Sequence, residues 1–171
     1  ITDREAGPVS DPLFVKALVL KNEHATTVLI TVDAVAIGGI GRIDDDYLPN
    51  VRAQLLKDLQ IAPECVLVNA SHCHGVVARD VEAKTIQADK LASSNLVAVK
   101  VGAGSGREDR IMENRRLRLK DGREVDVRHA YALPPDDEII GAGPVDPQIG
   151  VLRLDREDGR TLAVVYNFAC H

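Results

Sequence analysis

Residues 12–21, PLFVKALVLK, and 26–37, TTVLITVDAVAI, are rich in β-branched positions and are parted by the polar stretch NEHAT. That pattern predicts two adjacent strands. The second run is apolar on both faces, as expected of a central strand covered from both sides. Downstream, Leu48, Val51, Leu55 and Leu59 recur every three or four residues behind the acidic triplet Asp44 to Asp46. The spacing predicts an amphipathic helix capped by Asp44 or Asp45 and ending before Pro63. ECVLVNA follows as a short buried strand. Strand, helix, strand in this order predicts a βαβ unit with a parallel pair.

Residues 80–92 predict a second helix, and LVAVKVGAGSG a fourth strand running into a flexible glycine-rich loop. GAGSG lacks both GxGxxG spacing and a following GK[ST], so it reads as a connector and not as a phosphate loop. Asp121-Gly122 and Asp158-Gly159 each sit between alternating segments and predict β-hairpins. ALPPDDEIIGAGPVDP, between them, reads as a surface loop from its Pro, Gly and Asp content. The fold expected is therefore one α/β domain over residues 1–171: a mainly parallel sheet flanked by helices on both faces, with β-hairpins in the C-terminal third.

Composition narrows the function. At 45% hydrophobic and 27% charged, the 171-residue chain falls in the globular range, long enough to bury about 70% of its unfolded surface. Three unevenly spaced cysteines, Cys65, Cys73 and Cys170, form no disulfide framework and no CxxC pair. A net charge of −5, scattered basic residues and no Trp argue against nucleic acid as a partner. No apolar run approaches the roughly 18 residues of a transmembrane helix. Ile1 reads as an internal start, and VVYNFACH stops on a strand-like run without a polar tail, so the chain reads as the N-terminal part of something longer.

LVNASHCHG, residues 67–75, carries the chemistry. In an extended backbone His72 and His74 project to one face and Cys73 to the other. Two imidazoles converging at the end of a parallel strand have the geometry of metal ligands, or of one ligand beside an acid or base. They read equally as two half-exposed histidines at a strand end. His171 also ends an apolar run, whereas His24 and His129 fall in or beside hairpins.

DPLFVKALVL, VLITVDAV, VLVNASHCHG, ENRRL, VDPQIGVLRLD and VVYNFACH occur in the order and approximate spacing of the N-terminal domain of neutral/alkaline, non-lysosomal ceramidases and their bacterial relatives. The chain resembles that family over nearly its whole length. The resemblance implies that His72 is a zinc ligand, that His74 lies beside the scissile amide, and that His171 is a second zinc ligand. It places the family's substrate-contacting Arg on Arg115, by the Asn114-Arg register, with Arg116 as its neighbour and rival. A Glu and a Tyr further along the family's chain complete its metal site. The family continues HTHSGP where this sequence has HCHGVV, so Cys73 stands for Thr and Gly75 for Ser. Both Cys73 and Cys170 read as small apolar filler beside the proposed ligands. Asp33, ending VLITVD, would take the free N–H of a metal-bound His or cap a loop, and Asn69 is a weaker candidate for the same supporting role.

The function expected is Zn²⁺-dependent hydrolysis of an N-acyl amide in a small-molecule or lipid-like substrate, with His74 and Arg115 as catalytic groups. The rivals are a non-catalytic ceramidase-like domain with an incomplete metal site and a metal hydrolase of other specificity. No partner protein is implied. The residues do not reveal the compartment; the resemblance points to secretion or the cell surface.

Overall fold

The computed structural model describes residues 1–127 and 133–170, so His129 and His171 lie outside the described residues. The chain divides into two compact units, Ile1–Leu96 and Val97–His171.

In the first unit, β1 (Val15–Lys21) and β2 (Thr26–Val32) form an antiparallel hairpin, and β3 (Val66–Ala70) adds in parallel on the far side of β2. Asn22 closes the hairpin turn: its Oδ1 accepts from the N–H groups of His24 and Ala25, both at 2.8 Å. Helix α1 (Tyr47–Leu59) makes the crossover from β2 to β3. Its N-cap is Asp46, not Asp44 or Asp45, and no side chain caps it. The chain leaves the helix through Gln60 in the left-handed region, φ 57°. Helix α2 (Val81–Ser94) packs on β1 and α1.

Alternation along β2 sets the core. Val28, Ile30 and Val32 are fully buried and share one cluster with Val51 and Leu55 of α1 and Val81 of α2. The other face aligns Leu18, Leu29 and Leu67 across the three strands, and Leu67 is 59% exposed. Helix α2 also turns polar groups inward. Tyr47 Oη donates to Thr85 Oγ1 at 2.7 Å, while Thr85 donates to the Val81 carbonyl at 2.9 Å. One turn on, Asp89 is fully buried and neither carboxylate oxygen has a hydrogen-bond partner among the described residues.

The described residues of the second unit form two antiparallel three-stranded sheets. One orders β4 (Val99–Arg107), β8 (Gln148–Arg156) and β9 (Thr161–Phe168), with β8 in the centre. The other orders β6 (Glu124–Asp126), β5 (Arg116–Leu119) and β7 (Ile139–Ala142). Leu154 and Leu119 are almost fully buried.

The expected mainly parallel sheet flanked by helices is thus corrected. Among the described residues only β2 and β3 pair in parallel, because α1 is the one helical crossover there that joins paired strands; every other described pairing is antiparallel. Helices do not cover both faces, since α1 and α2 share the core on one side. GAGSG is not a flexible loop: it forms most of β4 and pairs with β8 from Gly102↔Arg153 to Gly106↔Ile149. Ile139–Ala142, inside the expected surface loop, is strand β7. The hairpins expected at the two Asp-Gly turns are present as β5–β6 and β8–β9. Among the described residues, no helix is long and apolar enough to cross a membrane.

Candidate functional site

The parallel, in-register pairing of Val32 with Ala70 brings the C-terminal ends of β2 and β3 level with each other. Ligands favour that end of a parallel pair. The chain leaves β3 through Ser71, whose N–H donates to the Val32 carbonyl at 3.0 Å. His72 then turns sharply at φ 59°. A non-glycine residue there carries roughly 1–3 kcal/mol of strain, which persists only where its surroundings hold it.

The His72 ring shows what holds it. Its Nδ1 lies 2.8 Å from the Val35 carbonyl oxygen. A carbonyl only accepts, so Nδ1 carries a proton, and in the neutral ring the lone pair then falls on Nε2. A backbone carbonyl on the far nitrogen is the arrangement that fixes the tautomer of a metal-binding imidazole, and His72 fits that role. The rings of His72 and His74 do converge, with centroids 5.0 Å apart at 84°. The left-handed turn brings this about, in place of the strand alternation expected. Cys73 packs against the core as a filler, whereas Cys170 is exposed; all three thiols are free.

Among the described residues, Asp33 does not reach an imidazole through any hydrogen bond of its carboxylate. Oδ1 accepts from Ser71 Oγ and Oδ2 from the Phe14 N–H, both at 2.9 Å. Asn69 Oδ1 accepts from Thr31 Oγ1 at 3.0 Å, a cross-strand tie between β3 and β2. Beside His74, a cavity of about 200 Å³ is lined by Val35, Ile40, Ile43, Gly75 and Val77, with Arg42 held at its wall by an ion pair to Asp3.

Arg115 belongs to the second unit. Asn114 shapes its turn, accepting from the Arg116 N–H at 2.9 Å and donating to the Pro144 carbonyl at 2.7 Å. Arg115 is half-buried, while Arg116 is exposed on β5. Among the described residues, no carboxylate pairs with the Arg115 guanidinium, and no group of three or more His, Cys, Asp or Glu gathers as a metal cluster. The second expected ligand, His171, is outside the described residues.

No protein-family model matches the sequence, and no curated protein matches it. Solved structures do. A ceramidase complexed with C2 superposes with a TM-score of 0.61 at 18% identity, over 90% of this chain and 25% of that one. The neutral ceramidase of Pseudomonas aeruginosa gives 0.54 at 17% identity, over 85% of this chain and 24% of that one. The chain shares the fold of the matching part of these ceramidases. It spans about a quarter of the ceramidase chains it matches.

Against the ceramidase pattern, Gly75 acquires a local reason. A Cβ built there would sit 2.9 Å from Leu13 Cδ2, so Leu13 fills the space that the family's serine side chain would need. Gly75→Ala is expected to lower stability by about 1 kcal/mol, the low end of overpacking costs because a side-chain tip yields. Urea denaturation of the two proteins checks this; an unchanged midpoint would show that Leu13 moves aside freely. The supporting groups missed by sequence reading are Val35, Ser71 and Leu13. Val35 acts through its main chain and carries no side-chain signal, whereas the serine before HxH could have been read as a turn residue.

Proposed function

We propose that this chain contributes the first part of a zinc-dependent active site that hydrolyses an N-acyl amide bond, as a ceramidase-like hydrolase. The observation that carries this reading is the His72 ring, its Nδ1 committed to the Val35 carbonyl and its centroid 5.0 Å from that of the His74 ring, on a fold shared with part of the ceramidases. His72, through Nε2, and His171 would hold the metal, and the resemblance supplies a Glu and a Tyr from a longer metal-hydrolase chain. Bound zinc polarises a carbonyl and lowers the pKa of its water from 15.7 to about 7.

The chain's own groups would do the rest. His74 hands a proton or hydrogen bond to the developing oxyanion or the leaving amine, and Arg115 offsets negative charge on the substrate or transition state. The ligand is a small-molecule or lipid-like N-acyl compound, met outside the cell or at its surface as the resemblance suggests. The test is amine release from a fluorogenic N-acyl amide by the intact protein, with a phosphodiester as the counter-substrate. Chelator-sensitive amine release restored by zinc is the expected result. Hydrolysis of the phosphodiester alone would replace the amidase reading with another metal hydrolase, and no turnover of either would favour a non-catalytic module.

A further inference from the structure

Three strand ends meet at one carboxylate. Asp33, directly after β2, receives the Phe14 N–H at the entry to β1 and the Ser71 hydroxyl at the exit from β3, while its own N–H donates to the Phe14 carbonyl at 2.9 Å. Ser71 is therefore fixed twice, by its main chain on Val32 and by its side chain on Asp33. It is the residue immediately before His72, whose backbone takes the unfavourable left-handed turn. The far side of the same turn is blocked as well, because Leu13, next to Phe14, packs where a side chain at Gly75 would stand.

A strained φ needs restraint on both sides. The Val35 carbonyl restrains His72 through its ring, and the Asp33–Ser71 pair restrains it through the main chain. Without Ser71 held, His72 can relax toward an extended φ, and its Nδ1 then swings off the Val35 carbonyl. We infer that Asp33 and Ser71 are positioning residues that hold His72 in one orientation and one tautomer, with Nε2 presented to the metal. Asp33 acts on the imidazole only through Ser71. The inference rests on the reading of His72 as a ligand, and its test separates the two.

The test uses intact, zinc-free protein labelled with ¹⁵N-histidine at pH 8, followed by titration with zinc alone. The parent is expected to show His72 locked with its proton on Nδ1. Ser71→Ala should shift that ring toward a mixture of tautomers and weaken zinc binding by roughly tenfold to a hundredfold, the usual cost of losing a group that orients a ligand. Asp33→Asn, which keeps only one accepting oxygen, should do the same, and Ser71→Thr should restore both readouts. Ser71 is exposed and loses only a hydroxyl, so Ser71→Ala decides the matter even if the Asp33 variant fails to fold. An unchanged tautomer in Ser71→Ala would overturn the inference. A locked tautomer that Ser71→Ala releases, in a parent that binds no zinc, would uphold the positioning role while removing the metal reading.

Discussion

His72→Ala protein is expected to carry no zinc where the parent carries a near-stoichiometric amount. His72 takes a left-handed φ of 59° and commits Nδ1 to a carbonyl, the arrangement that orients a metal-binding imidazole. Removing the ring would remove one of the proposed ligands, leaving His171 and the Glu and Tyr that the resemblance supplies. Turnover should fall on the order of 10³-fold or more, since the metal stabilises transition-state charge by several kcal/mol. His74→Ala makes the contrast. Assigned to proton transfer and not to metal, it should retain zinc and lose roughly 10²–10⁴ in kcat. Elemental analysis of the three proteins decides: a parent without zinc even after supply, or a His72 variant that keeps it, would end the metal reading.

Asp89→Asn is expected to stabilise the protein at pH 8 and to flatten its pH dependence. Burial pushes the Asp89 carboxyl up to about 7, with no compensating partner among the described residues. The groups facing it do not help. Tyr47, from α1, is itself pushed up to about 12, by burial first and by the Asp89 charge among lesser causes, and Glu82 on α2 adds a further negative charge to that neighbourhood. The inward positions of β1 are Val15, Ala17 and Val19, none of them charged. A raised carboxyl pKa means that the folded state holds its proton more tightly than the unfolded chain does. Its stabilising effect is complete below about pH 4 and is lost as pH rises toward about 7. Three pH units of tighter proton binding correspond to on the order of 4 kcal/mol. Because a buried amide also lacks partners, the gain in Asp89→Asn should be nearer 2 kcal/mol. Urea unfolding at pH 5 and pH 8 measures it. The parent should lose stability between the two values and the variant much less; an equal loss in both would show that Asp89 finds a cation or water when ionised.

Much of the first unit was legible because its elements are locally self-consistent. The apolar run of β2, the three-and-four spacing of α1 and the short β3 each state their own period, and together they specify the parallel crossover. The two Asp-Gly turns were readable for the same reason. What escaped was decided by partners distant in the chain. GAGSG has poor strand propensity, yet β8 supplies a continuous ladder that overrides it. Ile139–Ala142 lies among Pro, Gly and Asp, and becomes a strand only because β5 pairs with it. In the site, His72 and His74 were visible as chemistry, but the left-handed turn was not, since histidine carries no glycine-like signal for it. Asp33 stands out in the sequence as the polar end of an apolar run, and only the structure shows that its oxygens go to Ser71 and Phe14.

The glycines of β4 set a sequence of events in time. Gly102, Gly104 and Gly106 alternate along a rim strand, and a Cβ at Gly102 or Gly104 would touch nothing, so their absence of side chains serves no packing within the described residues. Each weakens the strand by roughly 0.5–1 kcal/mol relative to alanine. β8 and β9 remain joined by their own turn when β4 lets go. Amide hydrogens on β4 are therefore expected to exchange with solvent through small openings that leave the β8–β9 hairpin intact, the sheet loosening from its glycine rim inward.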